Sequence, residues 1–245
     1  MKSASHNPPT DDKTQKVADQ AESLHVSETP IDGVSLNVEG RQTQSPDEGF
    51  GQLWRKTYTI PLSGRDLTPA QVVSIWKEHL PDFQPPENRV FTSRIGVEMG
   101  EIILINATTP GGPIGTGMLV MQADDVSFTL MTPEGHPEAG WVKFSAYTLD
   151  KTTFAQILTV ARSSDPIFEI GFRLFGAQMQ ENIWHHVLKA LASHFNVTGD
   201  VTLEKVCLDT HLQWSRIGNI RHNAQLHTLA YLTTAPIQKL LKRNH

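Results

Sequence analysis

Two residues of this 245-residue chain have the types and spacing of an acid–base pair. A histidine such as His136 can act as a general base near neutral pH, and Glu138, two positions on, can orient it. Pro137 stands between them, and Gly135 and Gly140 flank them. The same loop also reads as a rigid connector. Its glycines supply unusual φ angles, Pro137 stiffens the turn, and either polar side chain bonds backbone amides. Residues two apart in such a loop need not face each other, so the connector is the preferred reading. Arg173 is a third candidate, as an anion partner for the same chemistry.

Other constellations carry less. Gly111-Gly112-Pro113-Ile114-Gly115-Thr116-Gly117 has the glycines of a phosphate loop. It lacks the Walker lysine, and a strand follows rather than a helix. A bulged turn or a loop at a cavity mouth fits it better. His185 and His186 are adjacent and diverge on a helix. His222 and His227 are five apart, which misses the i, i+4 zinc spacing. No metal site and no cofactor are expected. Cys207 is the single cysteine. It excludes an intramolecular disulfide, reads as a small buried hydrophobe, and fits a reducing cytoplasm.

The elements that hold these residues follow from periodicity. Residues 53–62 alternate, with Trp54, Tyr58, Ile60 and Leu62 on one parity, and predict a half-buried strand. Thr68 and Pro69 start a short helix carrying Val72, Val73, Trp76 and Leu80, which Pro81 ends. Residues 91–161 are β throughout, with candidate strands at 91–97, 102–107, 118–122, 126–131, 141–149 and 154–161. Their short connections predict an antiparallel meander. Asp165 and Pro166 then start a long helix. Ile167, Ile170, Leu174, Met179, Ile183, Val187, Leu191 and Phe195 form its apolar stripe. Residues 201–208 suggest a strand. One or two helices follow, the last broken at Pro236.

Charge divides the chain. Residues 1–50 hold four basic and nine acidic residues, which account for the whole net charge of −5. The rest is balanced, with 17 of each sign. The first aromatic residue is Phe50. Residues 1–50 read as a disordered acidic tail, because so few apolar groups cannot offset the entropy of ordering them. No secretory, transit or transmembrane pattern is present. Without a basic surplus, nucleic acid is not an expected partner. Residues 196–245 carry six basic and three acidic residues. They read as a mainly helical extension.

Strand, helix, antiparallel meander and long helix make an α+β order. A curved sheet wrapped around the long C-terminal helix buries both apolar faces. The order resembles the helix-grip fold of the START and birch-pollen-allergen (SRPBCC) superfamily. The segment SFTLMTPEGHPEAGWVKFSAY, 127–147, is similar to the signature of the family catalogued as domain of unknown function 1990. The matching residues are Thr129, Leu130, Gly135, His136, Pro137, Glu138, Gly140 and Phe144, with Pro166 and Gln180 matching the family's terminal helix. The chain departs from that pattern at Trp141-Val142, where acidic residues are usual, and at the inserted Pro133-Glu134.

The resemblance implies a START-like domain at 51–196 with a hydrophobic cavity between sheet and helix. It would bind an apolar or amphipathic small molecule. Trp76, Met121, Met131, Trp141, Phe144, Met179 and Ile183 are the expected wall. The same residue types also make an ordinary core. Two alternatives remain open: an enzyme of the same fold, a cyclase, dehydratase or hydrolase, using His136, Glu138 or Arg173, and a scaffold whose two ends recruit a partner.

Overall fold

The computed structural model describes residues 12–29, 33 and 35–242. Eight strands form one antiparallel sheet: β1 Leu53–Pro61, β2 Asn88–Phe91, β3 Ile102–Thr109, β4 Gly112–Ala123, β5 Ser127–Met131, β6 Glu138–Leu149, β7 Thr152–Ser163 and β8 Thr202–Asp209. Their order is β2-β3-β4-β5-β6-β7-β1-β8. The meander from β2 to β7 is therefore continuous, and β1 closes onto β7 in the register Tyr58 opposite Ile157. The expected α+β fold, a sheet gripping a long helix, is borne out.

Two elements start as the sequence dictates. Helix α2, Pro69–Glu78, follows α1, Asp12–Glu22, in chain order. The Thr68 hydroxyl accepts the Gln71 N–H at 3.2 Å, and the Thr68 N–H donates to the Gln71 side chain at 2.8 Å. This reciprocal cap satisfies two otherwise orphaned donors. Helix α3, Pro166–Gly171, begins at Asp165, whose Oδ1 accepts the N–H groups of Ile167 and Phe168 at 2.8 and 3.0 Å. A single π turn over Phe172–Gly176 joins α3 to α4, Ala177–His194.

That π turn changes the expected apolar stripe. In α4 the stripe faces the core, and Val187, Leu188 and Leu191 are fully buried. Ile170 before the turn and Leu174 within it point to solvent, 61% and 74% exposed. An extra residue in the turn rotates one half of the helix against the other. The core lies between the inner sheet face, α2 and α4. At its centre Phe128 stacks on Phe144 at 4.6 Å, and Trp76 meets Phe144 edge-on at 5.2 Å.

The amino-terminal reading needs correction. Residues 12–29 and 35–50 are packed, not a free tail. Leu24 and Val38 are buried with Ile102, Leu104 and Leu119 on the outer sheet face. Lys16 reaches the buried Glu101 at 2.6 Å. The segment has few apolar residues, but these few land on an apolar sheet face that would otherwise be wet. The expected disorder of residues 1–11 lies outside the described residues.

Three smaller differences follow. The glycine-rich run is a tight β3–β4 connection with β4 starting at Gly112, not a long loop. The second edge strand is shorter and earlier than expected, at Asn88–Phe91. Helix α5, Ala224–Lys242, continues through Pro236. No helix among the described residues is long and apolar enough to cross a membrane.

Candidate functional site

A cavity of about 190 Å³ lies between the inner sheet face and the α3–π–α4 helix. Ile105 of β3, Ile114 and Met118 of β4 and Val142 of β6 form its sheet side. Phe168, Phe172, Phe175, Met179, Ile183 and Trp184 form its helix side. The π turn is what brings Phe172, Phe175 and Gly176 to one wall. Ile167 and Phe175 are the most exposed of these neighbours, 39% and 38%, and mark the mouth. Gln225 of α5 borders the same rim. The volume is close to the ~150 Å³ of a dry cavity that takes up benzene, and below the ~300 Å³ lower bound of drug-sized sites. It suits a single ring with a short arm.

One end of the cavity is polar. Glu138, the first residue of β6, projects from the inner face and accepts a short hydrogen bond from the Gln180 Nε2. The Gln180 Oε1 accepts from Lys56 Nζ at 2.7 Å. Lys56 lies 3.8 Å from Glu181, and Lys205 lies 2.8 Å from the same carboxylate. Gln180 thus stands between a buried lysine and a partly buried carboxylate. Burial raises the Glu138 carboxyl above its ordinary value, and Lys56 and Gln180 oppose the rise. Burial lowers Lys56 in turn, against the attraction of Glu138 and Glu181.

The Gly135–Gly140 loop is built as a connector. At Gly135, with φ +83°, a Cβ would come 1.9 Å from the His222 carbonyl oxygen. At Gly140 a Cβ would come 2.2 Å from the Val160 carbonyl oxygen. Both sites therefore exclude side chains, and both place the loop hard against its neighbours. The His136 Nδ1 lies 3.1 Å from the Glu138 N–H and 3.0 Å from its carbonyl oxygen. His136 is engaged with the Glu138 backbone, while the Glu138 carboxylate faces Gln180. Burial pushes His136 down to about 4, so its ring is neutral at pH 7. The two side chains do not form an acid–base pair.

The remaining candidates separate. His136, Glu138, Trp141, Met179 and Ile183 border the cavity. Trp141 does so while strand alternation sends its side chain away from Val142, onto the parity of Met131 and Val160, its partners in the register. Trp76 of α2 and Phe144 of β6 are core residues that pack on each other. Met121 packs on the outer face with the Leu24 cluster. Met131 pairs with Leu119 of that outer cluster. These four lie outside the cavity wall. Arg173 also stays out of it: it holds Glu169 at 2.7 Å and lines a separate outer groove.

Sequence reasoning missed Lys56, Phe168, Phe172 and Phe175. For Lys56 a signal was present. It shares the inward parity of Trp54, Tyr58 and Ile60, and a lysine at a core position calls for a buried partner. Nothing in the sequence announced the π turn that gathers the phenylalanines. Among the described residues, no group of three or more His, Cys, Asp or Glu is placed to hold a metal ion.

No protein-family model matches the chain, and no curated protein matches it. Solved structures do. The di-domain ARO/CYC StfQ from the steffimycin biosynthetic pathway is 10% identical with a TM-score of 0.45, over 58% of this chain and 50% of that one. The present chain thus spans about half the length of StfQ. Protein Ms6760 from Mycobacterium smegmatis is 14% identical, with a TM-score of 0.40, over 62% of this chain and 94% of its own. Ara h 8.0201 is 12% identical, with a TM-score of 0.40, over 57% and 97%. These are likenesses of architecture at low identity. The fold itself rests on the strand order and the long helix described above.

Proposed function

We propose that this chain is a START-like binding protein that takes a small hydrophobic or amphipathic molecule into the cavity beneath α3 and α4. One observation carries the reading. An apolar space of about 190 Å³ is held open between a strand meander and a long helix, where side chains of ordinary size would have filled it. Its wall is mostly apolar with a few convergent polar groups, the usual make-up of a small-molecule site. The cavity-forming unit in this reading is 51–196, with Gln225 of α5 at its rim. Kinship with the domain of unknown function 1990 family belongs to the same proposal and rests on the motif residues of 127–147 and Gln180. A cytoplasmic location is proposed on the single thiol alone.

Native mass spectrometry of the protein purified from its own source tests the reading. A reproducible bound mass supports it, provided that Ala107→Phe, which puts a ring into the cavity, abolishes that mass and leaves the fold intact. A bound mass that Ala107→Phe leaves unchanged sinks it.

A further inference from the structure

We infer that the cavity selects a small organic amine, bound as its ammonium, over neutral or anionic molecules of the same shape. The inference rests on the binding reading above and adds the ligand's charge to it. Of the described residues that border the cavity, only His136 and Glu138 are ionisable. His136 is neutral at pH 7. Glu138 is therefore the group whose ionised form would give the space its sign.

Its carboxylate is only partly used by the protein. Oε2 accepts from Gln180, and among the described residues no hydrogen bond reaches Oε1 and no ion pair reaches the group. The cations at this end are engaged elsewhere. Lys56 donates to Gln180 and faces Glu181, and Lys205 pairs with Glu181. Arg173 pairs with Glu169, and Arg162 with Asp209 at 3.1 Å. Gln180 stands between Lys56 and Glu138, so Lys56 attracts the carboxylate across the amide and, among the described residues, no cation pairs with it directly. A partly buried, unpaired carboxylate in that position is costly, and an ammonium arriving with the ligand supplies a charge-assisted partner. The rings of Phe168, Phe172, Phe175 and Trp184 wall the same space, and aromatic faces favour an organic cation. An anion of equal size meets like charge, and a neutral ring gains apolar burial alone.

Three fluorinated single-ring probes of similar size and different charge decide the matter: 4-fluorobenzylamine, 4-fluorotoluene and 4-fluorobenzoate, titrated into the full chain at pH 7 and followed by ¹⁹F NMR. The amine is expected to bind about tenfold tighter than the toluene, the order of a charge-assisted bond, with the benzoate weakest. Glu138→Gln should bring amine and toluene to within about twofold, because the amide keeps the Gln180 contact and loses the charge. Toluene binding by the same variant reports that the cavity is intact. If the Gln variant does not fold, Glu138→Asp replaces it, and a weaker amine with unchanged toluene is the expected result. Equal binding of amine and toluene to the wild-type protein overturns the inference and leaves the binding reading standing. An amine preference that persists in Glu138→Gln overturns the role given to Glu138. Failure of all three probes removes the binding reading as well.

Discussion

His136 holds its place by staying neutral, and this makes it a reporter of the whole loop. Its folded value is about 4 against an ordinary 6.5. Between those values the unfolded chain binds more protons than the folded one, so stability falls as pH drops from about 6.5 to about 4 and is fully present above 6.5. The gap corresponds to at most about 3 kcal/mol. Glu138, raised by burial, acts in the opposite sense, since its folded form holds its proton to higher pH. The measurement is therefore a difference. Urea unfolding of the wild type and of His136→Gln at pH 7 and pH 4.5 should show the wild type losing more stability on acidification, by about 2–3 kcal/mol. Equal losses would mean that the ring is already charged or already exposed. At this scale the sequence showed a good deal. Met179 and Ile183, expected as wall from the family resemblance, border the cavity, as do His136 and Glu138, which the sequence offered for acid–base chemistry, and Gly135 and Gly140 prove to be conformationally obligatory. What it could not show is which atoms each side chain spends on its own backbone.

The helix termini decide how the cavity rim is held. Asp165 is fully buried and works in two directions. Its Oδ1 caps α3, and its Oδ2 accepts from the Asn223 Nδ2 at 2.7 Å. Asn223 in turn caps α5, its Oδ1 accepting the Leu226 N–H at 3.0 Å. One carboxylate thus ties the starts of two helices that both border the cavity. Asp165→Ala leaves two helix N–H groups and a buried amide unpaired and should cost about 2–4 kcal/mol in denaturant unfolding. The rim should loosen with it, weakening any cavity ligand. A cost under about 0.5 kcal/mol, the range of an ordinary surface change, would contradict this account. The sequence marked the start of the long helix at Asp165-Pro166 because capping is a local rule. It did not mark the link to Asn223, which is 58 residues away. Nor did it mark the π turn, since an extra residue per turn leaves the apolar spacing of i, i+3 and i+4 intact until it is tested against a neighbour.

For the molecule as a whole, the main surprise is that the described part of the acidic segment, 12–29 and 35–50, is held to the sheet. Composition argued for disorder, and composition averages over residues that do not share a fate. Leu24 and Val38, separated by polar sequence, meet on one patch of the outer sheet face. Leu24→Ala should therefore destabilise the whole chain by about 2–4 kcal/mol, a cost no solvated tail would show. A thermal melt that matches the wild type would return the segment to the status of a tail. The strand order and the gripping helix were legible because each depends on a period of two or of three and a half. The strap was not, because its hold comes from the sheet it covers. A last consequence follows from the wall between cavity and groove. Glu138, Ala161 and Phe172 border the inner cavity and also the outer groove lined by Lys56, Arg162 and Arg173. That partition is one layer of side chains thick. Were the Phe172 ring to swing aside, the cup would become a passage open at both ends, and a guest that entered past Ile167 could leave beside Lys205 without turning back.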